Sequence, residues 1–219
     1  MAEAFDAIVI GAGEAGSTIA SRVAQSGKRV ALIYRDPFGS TCLNTGCVPS
    51  KFMIHRGKIA HLAREAGKYH VEVSAPKVDV GAIVHEKNEM TRKHRAESYH
   101  STLANERIVL LEGAARFVAQ REVVVADRVL RSDNIFIATG MRPRIPKIEG
   151  LDVVRVLTNE SIMELSTLPE HLVVIGGGYI GCELGQTFRR YGSNVTIIQS
   201  RTHLCPHEEP DVSSVLAQA

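Results

Sequence analysis

The chain has 219 residues, 44% of them hydrophobic, and 26 Lys+Arg against 24 Asp+Glu give it a formal net charge of +2. That length holds one or two domains with real cores, while the balanced charge and the 5% aromatic content leave no electrostatic footprint for nucleic acid. No apolar run has the length of a membrane span, and the start Met-Ala-Glu-Ala-Phe-Asp lacks the basic region of a secretory leader. The expectation is a cytoplasmic protein with neither a nucleic-acid nor a membrane partner. Its four cysteines, Cys42, Cys47, Cys182 and Cys205, fit a catalytic pair in a reducing compartment better than a stapled secreted scaffold.

In chain order, Ala7 to Ile10 is a short apolar strand that runs into Gly11-x-Gly13-x-x-Gly16. Glu14 to Gln25 follows as a helix, Gly27 ends it, and Arg29 to Tyr34 is a second strand of βαβ type. Next come the cysteines, in Gly39-Ser-Thr-Cys-Leu-Asn-Thr-Gly-Cys-Val-Pro-Ser-Lys51. An ideal helix separates residues five apart by about 7.5 Å of rise, too far for an S–S bond, so the backbone between Cys42 and Cys47 must tighten. Asn44 and Gly46 permit such a turn, and Pro49 suits the first turn of a helix. The reading is a closed, reducible disulfide at a helix entrance. Zinc ligation is the alternative, and no second pair at ligand spacing favours it.

The helix after the cysteines is expected over roughly Ser50 to Ala66. Val80 to about Leu103 reads as a long exposed helix with a thin apolar stripe at Ile83, Val84, Met90 and Leu103 and a solvated His and Lys face. Short β runs follow at Ile108–Leu111, Ala115–Val118, Val123–Val125 and Val129–Leu130, and Asn134 to Ala138 leads into Thr139-Gly140. Pro143, Pro146 and Gly150 punctuate a connection there. Beyond it the pattern restarts: strand His171–Ile175, glycine turn Gly176-Gly-Gly178-Tyr-Ile-Gly181, helix Tyr179–Tyr191 and strand Asn194–Ile198. A helix-like segment begins at Asp211. The chain is thus an α/β protein with two copies of one Rossmann-like nucleotide-binding unit, divided as 1–148 and an incomplete 149–219.

Each glycine turn follows an apolar strand and opens a helix, the context in which backbone N–H groups face a pyrophosphate. A ribose-binding acid belongs at the end of the second strand. The first copy has Tyr34 there, with Asp36 two residues on; the second has Gln199, then Ser200 and Arg201. One phenolic oxygen in place of a carboxylate weakens the ribose contact unless Asp36 turns inward. In the second copy the missing acid and a nearby Arg201 lean toward NADPH, with an ordinary surface arginine as the plainer reading.

The block Thr41-Cys-Leu-Asn-Thr-Gly-Cys-Val-Pro-Ser-Lys51 resembles that of the flavin-dependent pyridine nucleotide-disulfide oxidoreductases, the group of dihydrolipoamide dehydrogenase, glutathione reductase and mercuric reductase. His55 and the Ala60-His-Leu-Ala-Arg64 run look most like the mercuric reductase and dihydrolipoamide dehydrogenase types. Ser40 departs from the glycine usual before Thr41, in a place where it could crowd the flavin phosphates. Gly113 and Ala114 look like a flavin-contacting turn, and Ala138, Thr139 and Gly140 like the crossover between flavin and nicotinamide domains.

The resemblance implies an FAD-binding domain followed by the start of an NAD(P)-binding domain. FAD would be held by Gly11, Gly13, Gly16, Tyr34, Thr41 and Lys51, and NAD(P)H by Gly176, Gly178, Gly181, Gln199 and Arg201. Hydride would pass from NAD(P)H through FAD to the cysteine pair, with Cys47 beside the flavin and Cys42 the sulfur that meets substrate. Lys51 would lie near the flavin, Glu183 would pair with it, and Tyr179 would gate the nicotinamide pocket. Cys182 reads as a buried hydrophobe rather than a second redox centre, and Cys205 as a loop residue.

The resemblance covers nearly all of this chain but about the first half of a family member. The returning flavin segment and the C-terminal domain that supports a homodimer are expected only in a longer form. Two function classes stay open. One is an oxidoreductase for a disulfide, a lipoyl-type small molecule or Hg(II); the other is a non-catalytic nucleotide-binding remnant.

Overall fold

The computed structural model describes residues 2–218. Its elements run β1 (Glu3–Ala4), β2 (Ala7–Ile10), α1 (Glu14–Gln25), β3 (Val30–Tyr34), α2 (Thr41–Thr45), α3 (Cys47–Glu65), α4 (Val80–Leu103), β4 (Ile108–Glu112), β5 (Arg116–Ala119), β6 (Glu122–Val125), β7 (Arg128–Arg131), β8 (Ile135–Ile137), β9 (His171–Ile175), α5 (Tyr179–Tyr191), β10 (Asn194–Ile198) and α6 (Pro210–Gln218). Single 3-10 turns sit at Ala66–Tyr69, Leu151–Val153 and Ser161–Glu164. By contacts, residues 2–48 with 90–144 form one compact unit and residues 49–89 with 145–218 another.

The first unit is built on a four-stranded sheet in the order β4-β3-β2-β8, all parallel. Strand period decides its layers. Ala7, Val9, Val30 and Leu32 point to one face, where they bury against Ala20 and Ala24 of α1, while Ile8, Ala31 and Ile33 point to the other and pack on Val123, Val125 and Leu130. Those last three belong to a second sheet, order β1-β7-β6-β5, in which β5, β6 and β7 are antiparallel and β1 joins β7 in parallel. Gly16, Ala20 and Ala24 recur at helical spacing and are all buried, so the helix backbone approaches the strands closely.

In the second unit β9 and β10 pair in parallel over five residues. Leu172 of β9 and Leu184, Phe188 and Tyr191 of α5 share a core with Met53, Val80, Val84, Ile162 and Met163. The Tyr191 hydroxyl donates to the Met53 carbonyl at 2.8 Å, which joins α5 to α3 within that core.

Three sequence expectations change here. The helix after the cysteines begins at Cys47 rather than near Ser50, because Gly46 breaks the chain and Pro49 is tolerated within the first turn. The long helix spans Val80 to Leu103 as expected, but its polar face is not uniformly solvated. Lys87 is 2% exposed, with its ammonium on the Met163 carbonyl at 2.8 Å and paired with Glu164. The strand Glu3–Ala4 was not foreseen; two residues are too few to show a period.

Candidate functional site

The chain leaves β2 at Ile10 and turns through Gly11, whose φ of +110° needs glycine and whose N–H donates to Ile33 O at 2.7 Å. A Cβ on Gly11 would stand 2.3 Å from Ala138 O, and one on Gly16 would stand 1.7 Å from Gly11 O. These two glycines close the turn. Gly13 differs, because a Cβ there would have its nearest neighbours, the Cα and Cβ of Ser40, at 3.8 Å. Gly13 is also the N-cap of α1 and provides no side-chain cap, so the first N–H groups of the helix point outward unsatisfied by side chains.

They point at a cleft of about 740 Å³. Gly11, Gly13, Tyr34, Thr41, Gly113, Ala114, Ala138, Thr139 and Gly140 all line it, and so does Cys42. Gly16 lies beneath, against Val9. Gly113 adopts φ +143° with a would-be Cβ 2.9 Å from Val125 Cγ2, and its N–H donates to Tyr34 O at 2.8 Å.

Tyr34 does not stand in for a missing acid alone. Parallel register sets it beside Glu112, and its hydroxyl donates to Glu112 Oε2 at 3.3 Å. The ring packs edge-on against Phe38 at 5.2 Å and Tyr99 at 6.2 Å. Burial first, then Tyr99 and the Glu112 carboxylate, push the phenol up to about 12. The carboxylate beside Tyr34 at this strand end is Glu112, supplied by β4; neither Glu112 nor Asp36 is among the described residues that line the cleft. Ser40 is likewise used rather than in the way. Its hydroxyl accepts from Leu43 N at 3.0 Å as the N-cap of α2 and donates to Glu14 Oε1 at 2.8 Å.

The tightened backbone expected between the cysteines is a short helix, α2, followed by a break at Gly46, where a Cβ would meet Thr41 O at 2.8 Å. Asn44 pins this turn, donating to Phe38 O at 3.0 Å and accepting from Arg95 Nε at 2.8 Å. Cys42 and Cys47 are both thiols, not the closed disulfide that the sequence suggested. The turn sets Cys47 beside Cys42, and that neighbouring sulfur, with burial second, holds the Cys42 thiol above its ordinary pKa. The sequence carried no signal for Arg95 or Glu112 because each reaches its partner across the fold.

In the second unit the turn repeats. Gly176 has φ +107° and donates to Ile198 O at 2.8 Å, and a Cβ on Gly181 would meet Gly176 O at 2.2 Å. Around Gly178, the uncapped N-cap of α5, a Cβ would meet nothing within 4 Å. Tyr179 opens the helix and is 71% exposed. One turn on, Glu183 Oε1 accepts from Lys51 Nζ at 2.5 Å. Gln199 bends over its own loop, donating to His203 O at 3.4 Å and accepting from Ser200 N at 3.0 Å. Arg201 is exposed and borders a hollow of about 350 Å³ with Gln199 and His203. No described helix is long and apolar enough to cross a membrane.

Two glycine turns under uncapped helices, the first opening on a cleft that Cys42 also lines, define a Rossmann-like α/β protein. The chain belongs to the pyridine nucleotide-disulphide oxidoreductase family, whose model matches residues 5–219. It is 38% identical over 215 residues to a mercuric reductase of Bacillus cereus, covering 98% of this chain and 34% of that protein. It is 33% identical over 220 residues to a dihydrolipoyl dehydrogenase of Chlamydia pneumoniae, covering 99% and 47%. Among solved structures, the HOCl-induced flavoprotein disulfide reductase RclA from Escherichia coli in its Cu(II) complex superposes with a TM-score of 0.84 at 30% identity, over 100% of this chain and 47% of that one. The chain thus spans between about a third and a half of the length of these relatives.

Proposed function

We propose that this chain is the part of an NAD(P)H-dependent flavoprotein oxidoreductase that receives electrons and stores them on the Cys42–Cys47 pair. The observation that carries the reading is the position of Cys42 on the wall of the same cleft that holds the first glycine turn. One sulfur of the pair and a nucleotide-type glycine turn share one cavity, which a plain nucleotide-binding remnant does not require.

FAD fits that cleft on the chain's own residues. The room at Gly13 lets a diphosphate reach the uncapped N–H groups of α1, where the helix dipole favours negative charge, and Tyr34 on the cleft wall offers a ribose hydroxyl its phenolic oxygen as acceptor. Thr41, Ala114 and Thr139 line the remainder. When bound, FAD supplies the hydride acceptor that links a reduced nicotinamide to sulfur. The chain's residues do the rest. Reducing a Cys42–Cys47 disulfide takes two electrons and two protons, and the neighbouring Cys47 sulfur, with burial, keeps the proton on Cys42 afterwards. Lys51, held by Glu183, brings positive charge within one helical turn of Cys47.

Gly176, Gly178 and Gly181 would take the pyrophosphate of NAD(P)H, and Arg201 favours the 2′-phosphate of NADPH. Among the described residues Arg201 has no acidic partner that would compete for it. The substrate class in this reading is a disulfide, a lipoyl-type molecule or Hg(II), handled by a longer, homodimeric form in the cytoplasm. We take the domain limits as 1–148 for the flavin part and 149–219 for the nicotinamide part. The test is an anaerobic titration with FAD, followed by NADPH and NADH in separate runs. Saturable FAD binding and faster bleaching of the yellow colour by NADPH are expected. A folded chain that stays colourless at saturating FAD contradicts the reading.

A further inference from the structure

Cys182 and Cys205 are 23 residues apart in sequence, and nothing in the flavin or nicotinamide sites uses either. In the fold both converge on one atom, the carbonyl oxygen of Gly177 within the second glycine turn. Cys182 Sγ donates to it at 3.5 Å, and the backbone N–H of Cys205 donates to it at 2.7 Å. The shared acceptor makes the two cysteines neighbours in space. The loop that carries Cys205 lies directly over the turn, since a Cβ on Gly177 would stand 2.7 Å from Leu204 Cδ2.

The backbone at Cys205 is unusual. Its φ of +46° lies in the left-handed region that a cysteine seldom occupies. This conformation turns its N–H toward the Gly177 carbonyl, and the Cys205 carbonyl in turn accepts from Glu208 N at 2.9 Å. Cys182 is 9% exposed, whereas Cys205 is partly open to solvent.

We infer that Cys182 and Cys205 are a second redox couple, which closes to a disulfide with a small-molecule disulfide as oxidant and clamps the loop around Arg201 onto the second glycine turn. The accessible Cys205 thiolate attacks one sulfur of R–S–S–R, forming Cys205–S–S–R and releasing RS⁻. Cys182, deprotonated as it reacts, then attacks the Cys205 sulfur and expels the second RS⁻. The two thiols lose two protons and two electrons, and the oxidant becomes two RSH. Burial, followed by the neighbouring Cys205, pushes the Cys182 thiol up to about 11, which makes Cys205 the faster entry point. This couple stands whether or not the cleft of the first unit binds FAD.

The test uses the full chain with Cys42→Ser and Cys47→Ser, equilibrated in glutathione redox buffers and measured by intact mass and peptide mapping. The expected result is loss of two hydrogens, a cross-linked peptide pair containing Cys182 and Cys205, and its reversal by excess reduced glutathione. Adding Cys205→Ser should abolish the cross-link and leave Cys182 unmodified. Mapping the same peptide pair in the oxidised wild-type chain is independent of whether the double variant folds. A stable glutathione adduct on Cys205 with Cys182 still a thiol, a cross-link between molecules, or no reaction under oxidising buffer overturns the inference.

Discussion

Gly16→Ala and Gly13→Ala alter the same turn and should have opposite consequences. On Gly16 the added methyl would lie 1.7 Å from the Gly11 carbonyl oxygen and 3.3 Å from Val9 Cγ1. The first contact is with backbone, so α1 or the turn must move. Forced overpacking of this kind costs about 1–3 kcal/mol or more, against a helix-propensity gain of at most about 1 kcal/mol. A net loss of about 2 kcal/mol corresponds to a melting shift of about 4–8 °C for a chain of this length. On Gly13 the methyl has its nearest neighbours at 3.8 Å, so the protein without ligand should lose only what an alanine N-cap costs, about 0.5–1 kcal/mol. That methyl instead occupies the space through which a diphosphate approaches α1, and FAD affinity should fall at least about tenfold, or about 1.4 kcal/mol. Thermal unfolding without ligand, followed by an FAD titration of each variant, reads both effects. A Gly16→Ala protein as stable as wild type, or a Gly13→Ala protein that loses stability while keeping its FAD affinity, would refute this division of labour.

Four further outcomes can be checked. Tyr34→Glu should not tighten FAD binding, because the new carboxylate faces Glu112 across paired strands, and like charges there destabilise by about 0.2–1 kcal/mol; denaturant unfolding and flavin titration read the two effects. Glu164→Ala leaves the Lys87 ammonium, itself 2% exposed, with a carbonyl but no carboxylate and should cost about 1–3 kcal/mol in urea unfolding. Lys51→Ala should cost no more than about 1 kcal/mol, since Lys51 and Glu183 are 57% and 40% exposed, while slowing reduction of the thiol pair. Cys42 alkylation should be slow at neutral pH and rise only under alkaline conditions, because its pKa is raised. Cys47→Ala removes the largest cause of that rise, so the rate profile of Cys42 should move to lower pH.

The two βαβ units were legible because strand period, helix period and glycine spacing agree within some thirty residues, and each boundary of α1, β2, β9, α5 and β10 falls where its local signals put it. What stayed hidden depends on contacts distant in sequence. Glu112 meets Tyr34 only through the β3–β4 register, and Arg95 reaches Asn44 only because α4 passes the cysteine turn. Lys87 reads as a surface residue by type, and its burial is set by the Ser161–Glu164 turn, which supplies both of its acceptors. The cysteine turn was foreseen from Asn44 and Gly46, but oxidation state is not written in spacing, and the pair is held as thiols. Cys182 and Cys205 share no local pattern at all; only the loop after β10 brings them to Gly177.

The most direct test of the account counts thiols. The oxidised chain, loaded with FAD under anaerobic conditions, is given one equivalent of NADPH, then labelled with an alkylating agent and mapped by mass spectrometry. The account predicts that Cys42 and Cys47 pass together from disulfide to labelled thiols in an FAD-dependent manner. Oxidation of NADPH with Cys42 and Cys47 still joined, or their reduction to the same extent without FAD, would contradict it.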